Sequence, residues 1–281
     1  MKIKRLVNLA ILAGAASANN KIKGRSYYGY LTSELSKNFF FKLIDKLEVN
    51  FMLECGANAA ETSQSFVLIP GRKSVAIEAN PNTYEDVTSK INNINIQTIC
   101  AALSDEIGET QISVPISGDS TNGASSLLKR NDETKYNTYE VKKTTIDNII
   151  DEQIEYDKYS KVAIWMDVEG YAYQALLGAK KTLLNENIHV IYVEVETEKF
   201  WSEQRLASDI DDYLEELDYT PVIRDMQSKN QFNLIYIKND YLDECDELII
   251  KYWEEFGAIK NNYLIIIRSW IRQFINNLLN K

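Results

Sequence analysis

The stretch Asn50-Phe51-Met52-Leu53-Glu54-Cys55-Gly56-Ala57-Asn58-Ala59-Ala60-Glu61-Thr62-Ser63, followed after a short loop by Val75-Ala76-Ile77-Glu78-Ala79-Asn80-Pro81, decides the fold. Phe51–Leu53 is an uninterrupted apolar run, as a strand covered on both faces requires. Gly56 lets the backbone turn and approach a ligand closely. Thr62 or Ser63 offers an N-cap for a helix running to Leu68. Val75–Ile77 is a second buried strand with Glu78 at its tip, 22 residues after Gly56.

A carboxylate in that position can accept hydrogen bonds from both hydroxyls of a ribose. The turn holds one glycine where a dinucleotide fingerprint needs three, and the phosphate-loop lysine is absent. A nucleoside without phosphate therefore fits best, and Glu54 suits a cationic portion of it. S-adenosylmethionine, with ammonium and sulfonium charges, meets that description. An ordinary strand–helix–strand unit has the same outline, so the rest of the chain must decide.

The chain has 281 residues, 45% of them apolar, which suffices for a core. Three widely spaced cysteines show neither disulfide nor metal-ligand spacing and read as reduced, buried thiols. Residues 1–33 carry six basic side chains and no acid, and residues 257–281 carry four and no acid. The interior is consequently twice as acidic as the whole chain's −10, which argues against a nucleic-acid partner. Met1–Ala18 has the basic start, short apolar run and Ala-Ser-Ala ending of a signal peptide. Export would separate the protein from a cytosolic cofactor. The expected location is the cytoplasm or the inner face of a membrane.

Phe39, Phe40, Leu43, Ile44 and Leu47 have helical spacing and predict a helix covering the sheet edge ahead of the first strand. Asn80-Pro81 opens a helix to about Asn92, and Ile94–Leu103 is a third strand that presents Ser104-Asp105 to the cleft. Residues 104–145 read as an inserted hairpin or flap, with Gly118–Leu128 as a mobile lid or an ordinary surface loop. Thr145 caps the next helix. Lys161–Asp167 and His189–Val195 are the fourth and fifth strands, separated by a long helix. A helix at 203–217 and an antiparallel pair, Thr220–Ile223 and Asn233–Ile237, close an α/β doubly wound sheet. The expected divisions are 1–47 (basic and helical extension), 48–238 (main domain) and 239–281 (amphipathic helical tail).

With these elements in place, the chain resembles the FkbM-type methyltransferase family. The resemblance is carried by Glu54-Cys55-Gly56-Ala57-Asn58, Ile77-Glu78-Ala79-Asn80-Pro81, Ala102-Leu103-Ser104-Asp105, Thr144-Thr145-Ile146-Asp147, Met166-Asp167-Val168-Glu169-Gly170, Leu177-Gly178-Ala179 and Val193-Glu194-Val195-Glu196, in the family's order. It implies a class I methyltransferase (Rossmann-like) sheet with an antiparallel final strand, S-adenosylmethionine as methyl donor, and O-methylation of a sugar or polyketide-type hydroxyl. The chain departs from the family's pattern with Glu54 for the usual Asp, Ala60 for a glycine, and Trp165 where a lysine often stands. The cofactor-binding set is then Glu54, Gly56, Asn58, Glu78, Ser104, Asp105 and Asp167.

Methyl transfer to an alcohol needs in-line positioning and a proton acceptor. His189 is the only histidine and lies at the start of its strand, the wrong end for an open α/β site. A carboxylate must serve, and Asp167, Glu169 and Glu194 are the candidates. Carboxylates converging there would raise one another's proton affinity or hold a magnesium ion. Glu169 could instead cap a helix, and Glu194 could pair with a lysine. The tail repeats Leu264, Ile267, Ile271, Phe274 and Leu278 beside Arg268 and Arg272, a pattern for peripheral membrane contact or a homodimer. A non-catalytic scaffold or membrane-associated adaptor on the same fold is the alternative function. A nucleoside-binding oxidoreductase is a third, weakened by the missing glycines.

Overall fold

The computed structural model describes residues 27–116, 124–152, 161–184 and 188–259. In chain order the elements are α1 (Tyr27–Lys46), β1 (Phe51–Cys55), α2 (Glu61–Phe66), β2 (Lys73–Glu78), α3 (Pro81–Asp86), β3 (Ile96–Cys100), β4 (Ala102–Leu103), β5 (Gly108–Pro115) and β6 (Tyr136–Thr144). There follow α4 (Ile146–Glu152), β7 (Val162–Met166), α5 (Ala172–Leu177), α6 (Lys180–Leu184), β8 (Ile188–Glu196), α7 (Ala207–Glu216), β9 (Tyr219–Arg224) and β10 (Gln231–Lys238). A further helix, α8, spans 242–259.

Seven strands form one sheet in the order β3-β2-β1-β7-β8-β10-β9. All neighbours from β3 to β8 are parallel, and β10 runs antiparallel to both β8 and β9. This is the class I methyltransferase topology. The order reverses direction between β1 and β7, and ligands of open α/β sheets bind at such a switch point, outside the carboxyl ends of the strands.

The period-2 alternation of β1 explains why both faces are covered. Met52 faces one apolar cluster with Phe40, Leu43, Trp165 and Tyr252. Phe51, Leu53 and Cys55 face another with Ile146, Leu176 and Leu214. Full burial of each such side chain stabilises the fold by about 1.5–3 kcal/mol. Helix α1 buries its stripe Phe39, Phe40, Leu43, Ile44 and Leu47 as its spacing predicts, but over β8 and β10 on the sheet face, rather than at the edge. Helix α8 joins it there through Tyr252, whose ring lies 5.1 Å from Phe39.

Two expected elements, the third strand and the helix after Asp167, come out differently, while the expected hairpin forms. The run expected as one strand to Leu103 divides: β3 ends in the main sheet at Cys100, and β4 pairs with β6 in a separate three-stranded sheet. The β5–β6 hairpin occupies the stretch read as a flap, in register from Gly108↔Lys143 to Pro115↔Tyr136. The long helix after Asp167 is two short ones. They meet at Gly178, which must be glycine because a Cβ there would overlap the Ser104 carbonyl. Thr145 caps α4 as expected, its Oγ1 accepting the Asn148 N–H at 3.0 Å. The stretches Met1–Ala18 and Leu264–Leu278, and residues 118–123 of the expected lid, lie outside the described residues. Among the described residues no helix is long and apolar enough to cross a membrane.

Candidate active site

Asp167 stands one residue beyond β7, at the switch point, and three clefts meet on it. Its backbone N–H donates to the Cys55 carbonyl at 2.9 Å, which ties the end of β7 to the end of β1. Gly56 is required for the same reason. It has φ +80, and a Cβ would overlap the Asp167 carbonyl. The glycine expected to make room for a ligand therefore also lets two strand ends touch.

The first cleft, of about 130 Å³, is walled by Ile77, Ala79, Ala101, Leu103, Ile112 and Leu127, with carboxylates from Glu78, Asp167 and Glu169. Glu78 is held by the Asn58 N–H and the Asn80 N–H, both at 2.8 Å. Its carboxyl is shifted upward by burial, against the pull of those N–H groups. The loop at 124–130 roofs this cleft. Ser125 accepts from Asn80 Nδ2 at 3.0 Å, and Ser126 Oγ donates to the Glu169 carbonyl at 2.7 Å. The described part of the expected lid is thus pinned to both sides of the site.

The second cleft, of about 260 Å³, runs from Asp167 past Gly56, Asn58 and Glu54 to Ser33 and Lys37 of α1. Trp165 and Tyr192 stack at 3.7 Å in its wall, so the residue replacing the family's lysine is part of an aromatic floor. Glu54 is not free for a cation in the way its charge suggests. Its carboxylate accepts the Thr62 N–H at 3.2 Å and the Ser63 N–H at 2.7 Å, capping α2 from below. The cap expected from Thr62 or Ser63 side chains is absent because the helix starts at Glu61, with Ala60 in the left-handed region at φ 49 as its N-cap and both hydroxyl residues inside the first turn. Ala60 is fully buried in the core, and its methyl lines neither cofactor cleft.

The third cleft is lined by Asp167, Glu169, Glu194, Gln227, Ser228 and Gln231. Oxygens of Asp167, Glu169 and Glu194 lie within 4.8 Å of one another, close enough to share a proton or a divalent cation. Glu194 accepts from Gln231 Nε2 at 2.9 Å and Gln227 Nε2 at 3.3 Å, so amides rather than a lysine hold it. Glu196 accepts from Gln204 Nε2 at 2.7 Å. Glu169 does not cap α5, whose N-cap is Tyr171 without a side-chain bond.

Burial, then the Asp167 charge, pushes the Glu169 carboxyl up to about 8 and the Glu196 carboxyl up to about 7. The same causes raise Glu194 well above the carboxylate range, and it hydrogen-bonds to Asp167. Two carboxyl groups make that contact only when one carries a proton. These raised values mean that the native state keeps protons which the unfolded chain releases near pH 4.5. Stability therefore falls as pH rises through about 7 and 8, and levels off above. The ligand-free protein should melt roughly 5 °C lower at pH 9 than at pH 6, a change of a few kcal/mol. Glu169→Gln should remove much of that slope. A melting temperature that is flat or rises across this window would contradict the shared-proton arrangement.

Of the sequence-predicted residues, Gly56, Asn58, Glu78 and Asp167 line the first cleft, and Glu54 lines the second. Glu169 and Glu194 join Asp167 in the third. Ser104 and Asp105 line none of the three: β4 leaves the main sheet and carries Ser104 under Gly178, where it is buried and donates to Asp105 at 3.0 Å. Ala101–Leu103 take that wall instead. His189 is buried at the far end of β8, stacked on Tyr241 at 4.1 Å. Gln227, Gln231 and Lys37 were not anticipated. They lie outside the strand-end motifs, and only the folded turn and helix bring them in.

Comparison with known proteins identifies one family. The Methyltransferase FkbM domain matches residues 54–221. No curated protein matches the chain. Among solved structures, the Burkholderia thailandensis 1,6-didemethyltoxoflavin-N1-methyltransferase is 10% identical, covering 85% of this chain and 90% of its own, with a TM-score of 0.37. A TehB-like SAM-dependent methyltransferase from Corynebacterium glutamicum is 11% identical over 85% of this chain and 100% of its own, with a TM-score of 0.35. At such distances the assignment rests on the domain match.

Proposed function

Because the chain belongs to the FkbM methyltransferase family, we propose that it transfers the methyl group of S-adenosylmethionine to a hydroxyl of a sugar, glycan or related natural product. The observation that carries this reading is the meeting of three chemically different clefts on Asp167. The first suits an adenosyl group, with apolar walls for the base and Glu78 for the ribose hydroxyls. The second carries both signs of charge, as a zwitterionic methionyl tail requires. Among the described residues, the lining of the third is acids, amides and a hydroxyl, with no cation, which hydrogen-bonds a polyhydroxyl acceptor and repels an anionic one.

When bound, the cofactor supplies an electrophilic methyl carbon on a sulfonium. The chain's own residues orient the acceptor and remove its proton. Asp167 stands where the cofactor clefts open onto the acceptor cleft, and takes the hydroxyl proton as the oxygen–methyl bond forms. Glu194 and Glu169 keep that proton within the acid cluster. The same three acids would bind a magnesium ion.

The test is transfer of labelled methyl to a panel of neutral, phosphorylated and carboxylated glycosides. The reading predicts base-stable methyl ether on neutral acceptors at rates at least tenfold above the anionic ones. Label on nitrogen, or preference for anionic acceptors, would contradict it. Absence of both transfer and cofactor binding would select the non-catalytic scaffold.

A further inference from the structure

Three acids, Glu54, Glu61 and Asp167, line the cleft assigned above to the methionyl tail, yet that tail ends in a carboxylate as well as an ammonium. A carboxylate entering such a wall is repelled unless a cation meets it. Among the described residues lining the three clefts, the only cation is Lys37.

The helix that carries Lys37 is fixed at the cleft. Ser33 Oγ donates to the buried Asp225 carboxylate at 3.1 Å, and Ser36 Oγ reaches the same oxygen at 3.5 Å. Asp225 in turn accepts from the Asn233 N–H at 3.0 Å, from Asn233 Nδ2 at 2.7 Å and from the Gln227 N–H at 3.2 Å. This network locks α1 to the ends of β9 and β10. Lys37 is four residues after Ser33, hence on the same helix face, and both line the cleft. Its partner in the structure is Glu34 at 3.6 Å, with both side chains nearly half exposed. Such a pair is weak and easily exchanged for a better one.

We infer that Lys37 receives the carboxylate of the cofactor's methionyl tail, and so acts as a cofactor-positioning residue supplied by a helix ahead of the motif-bearing domain. This rests on the S-adenosylmethionine reading. The salt bridge from Lys37 fixes the tail's direction along the cleft.

Calorimetric titration separates this role from a structural one. The probes are S-adenosylhomocysteine and 5′-methylthioadenosine, which keeps the adenosyl group but lacks the amino-acid tail. In Lys37→Met, affinity for S-adenosylhomocysteine should fall about tenfold, and affinity for methylthioadenosine should stay unchanged. Lys37→Arg should restore most of the loss. Equal weakening of both ligands, or undiminished S-adenosylhomocysteine affinity, would overturn the assignment to Lys37 while leaving the cofactor reading intact. A wild-type protein that binds neither ligand would remove the cofactor reading and this assignment together.

Discussion

Asp167→Asn is expected to lower methyl transfer by about 10³-fold, with S-adenosylhomocysteine binding held within about threefold of wild type. The substitution keeps the shape of the side chain and the backbone N–H bond to the Cys55 carbonyl, so the meeting point of the clefts stays in place. What it removes is the capacity to accept a proton beside the acceptor. Single-turnover transfer of labelled methyl, read alongside calorimetric affinity, separates chemistry from binding. Turnover within tenfold of wild type would move the proton-accepting role to Glu169 or Glu194. Both are within reach of the same site, and Glu169 is held up to about 8, in the range that suits a general base.

The acid cluster that supports this expectation was legible before any coordinates. Asp167 and Glu169 flank a strand end, and Glu194 and Glu196 alternate along the neighbouring strand, so sheet geometry alone brings them near one another. Glu78 was legible for the same reason. Its place at the tip of β2, opposite the Gly56 turn, follows from the parallel pairing of β1 with β2. Period-2 burial and apolar runs specify strands strongly, and strand ends inherit that certainty.

Sequence reading failed where a side chain's role depends on a partner far along the chain. Ser104 follows a strand, but that strand belongs to the second sheet, and the pairing of Ala102 with Lys143 cannot be read from the motif itself. Glu54 carries the expected charge, yet the left-handed turn at Ala60 brings the first N–H groups of α2 onto its carboxylate. The amides that hold Glu194 come from the turn before β10 and from the first residue of β10, 33 and 37 residues away. Lys37 precedes every motif. The packing of α1 over β8 and β10 and its anchoring to Asp225 bring it to the cleft.

The ribose grip is the second large effect. Glu78 is 8% exposed, its two oxygens accept the Asn58 and Asn80 N–H groups, and it lines the first cleft, where a carboxylate so held can accept from two ribose hydroxyls as well. Each such charge-assisted bond contributes about 1.5–3 kcal/mol. Glu78→Ala should therefore weaken S-adenosylhomocysteine binding by about 100-fold or more, and Glu78→Gln, which can still accept at one oxygen, by less. Loss of the two backbone bonds adds to the effect by loosening the turn at Asn58.

The most direct measurement is a side-by-side calorimetric titration of wild type and Glu78→Ala with S-adenosylhomocysteine. A nucleoside cleft gripping its sugar through this one acid predicts one-to-one binding of wild type at micromolar concentrations and a loss of roughly two orders of magnitude in the variant. Equal affinity in the two proteins, or no heat from wild type at millimolar ligand, would contradict it.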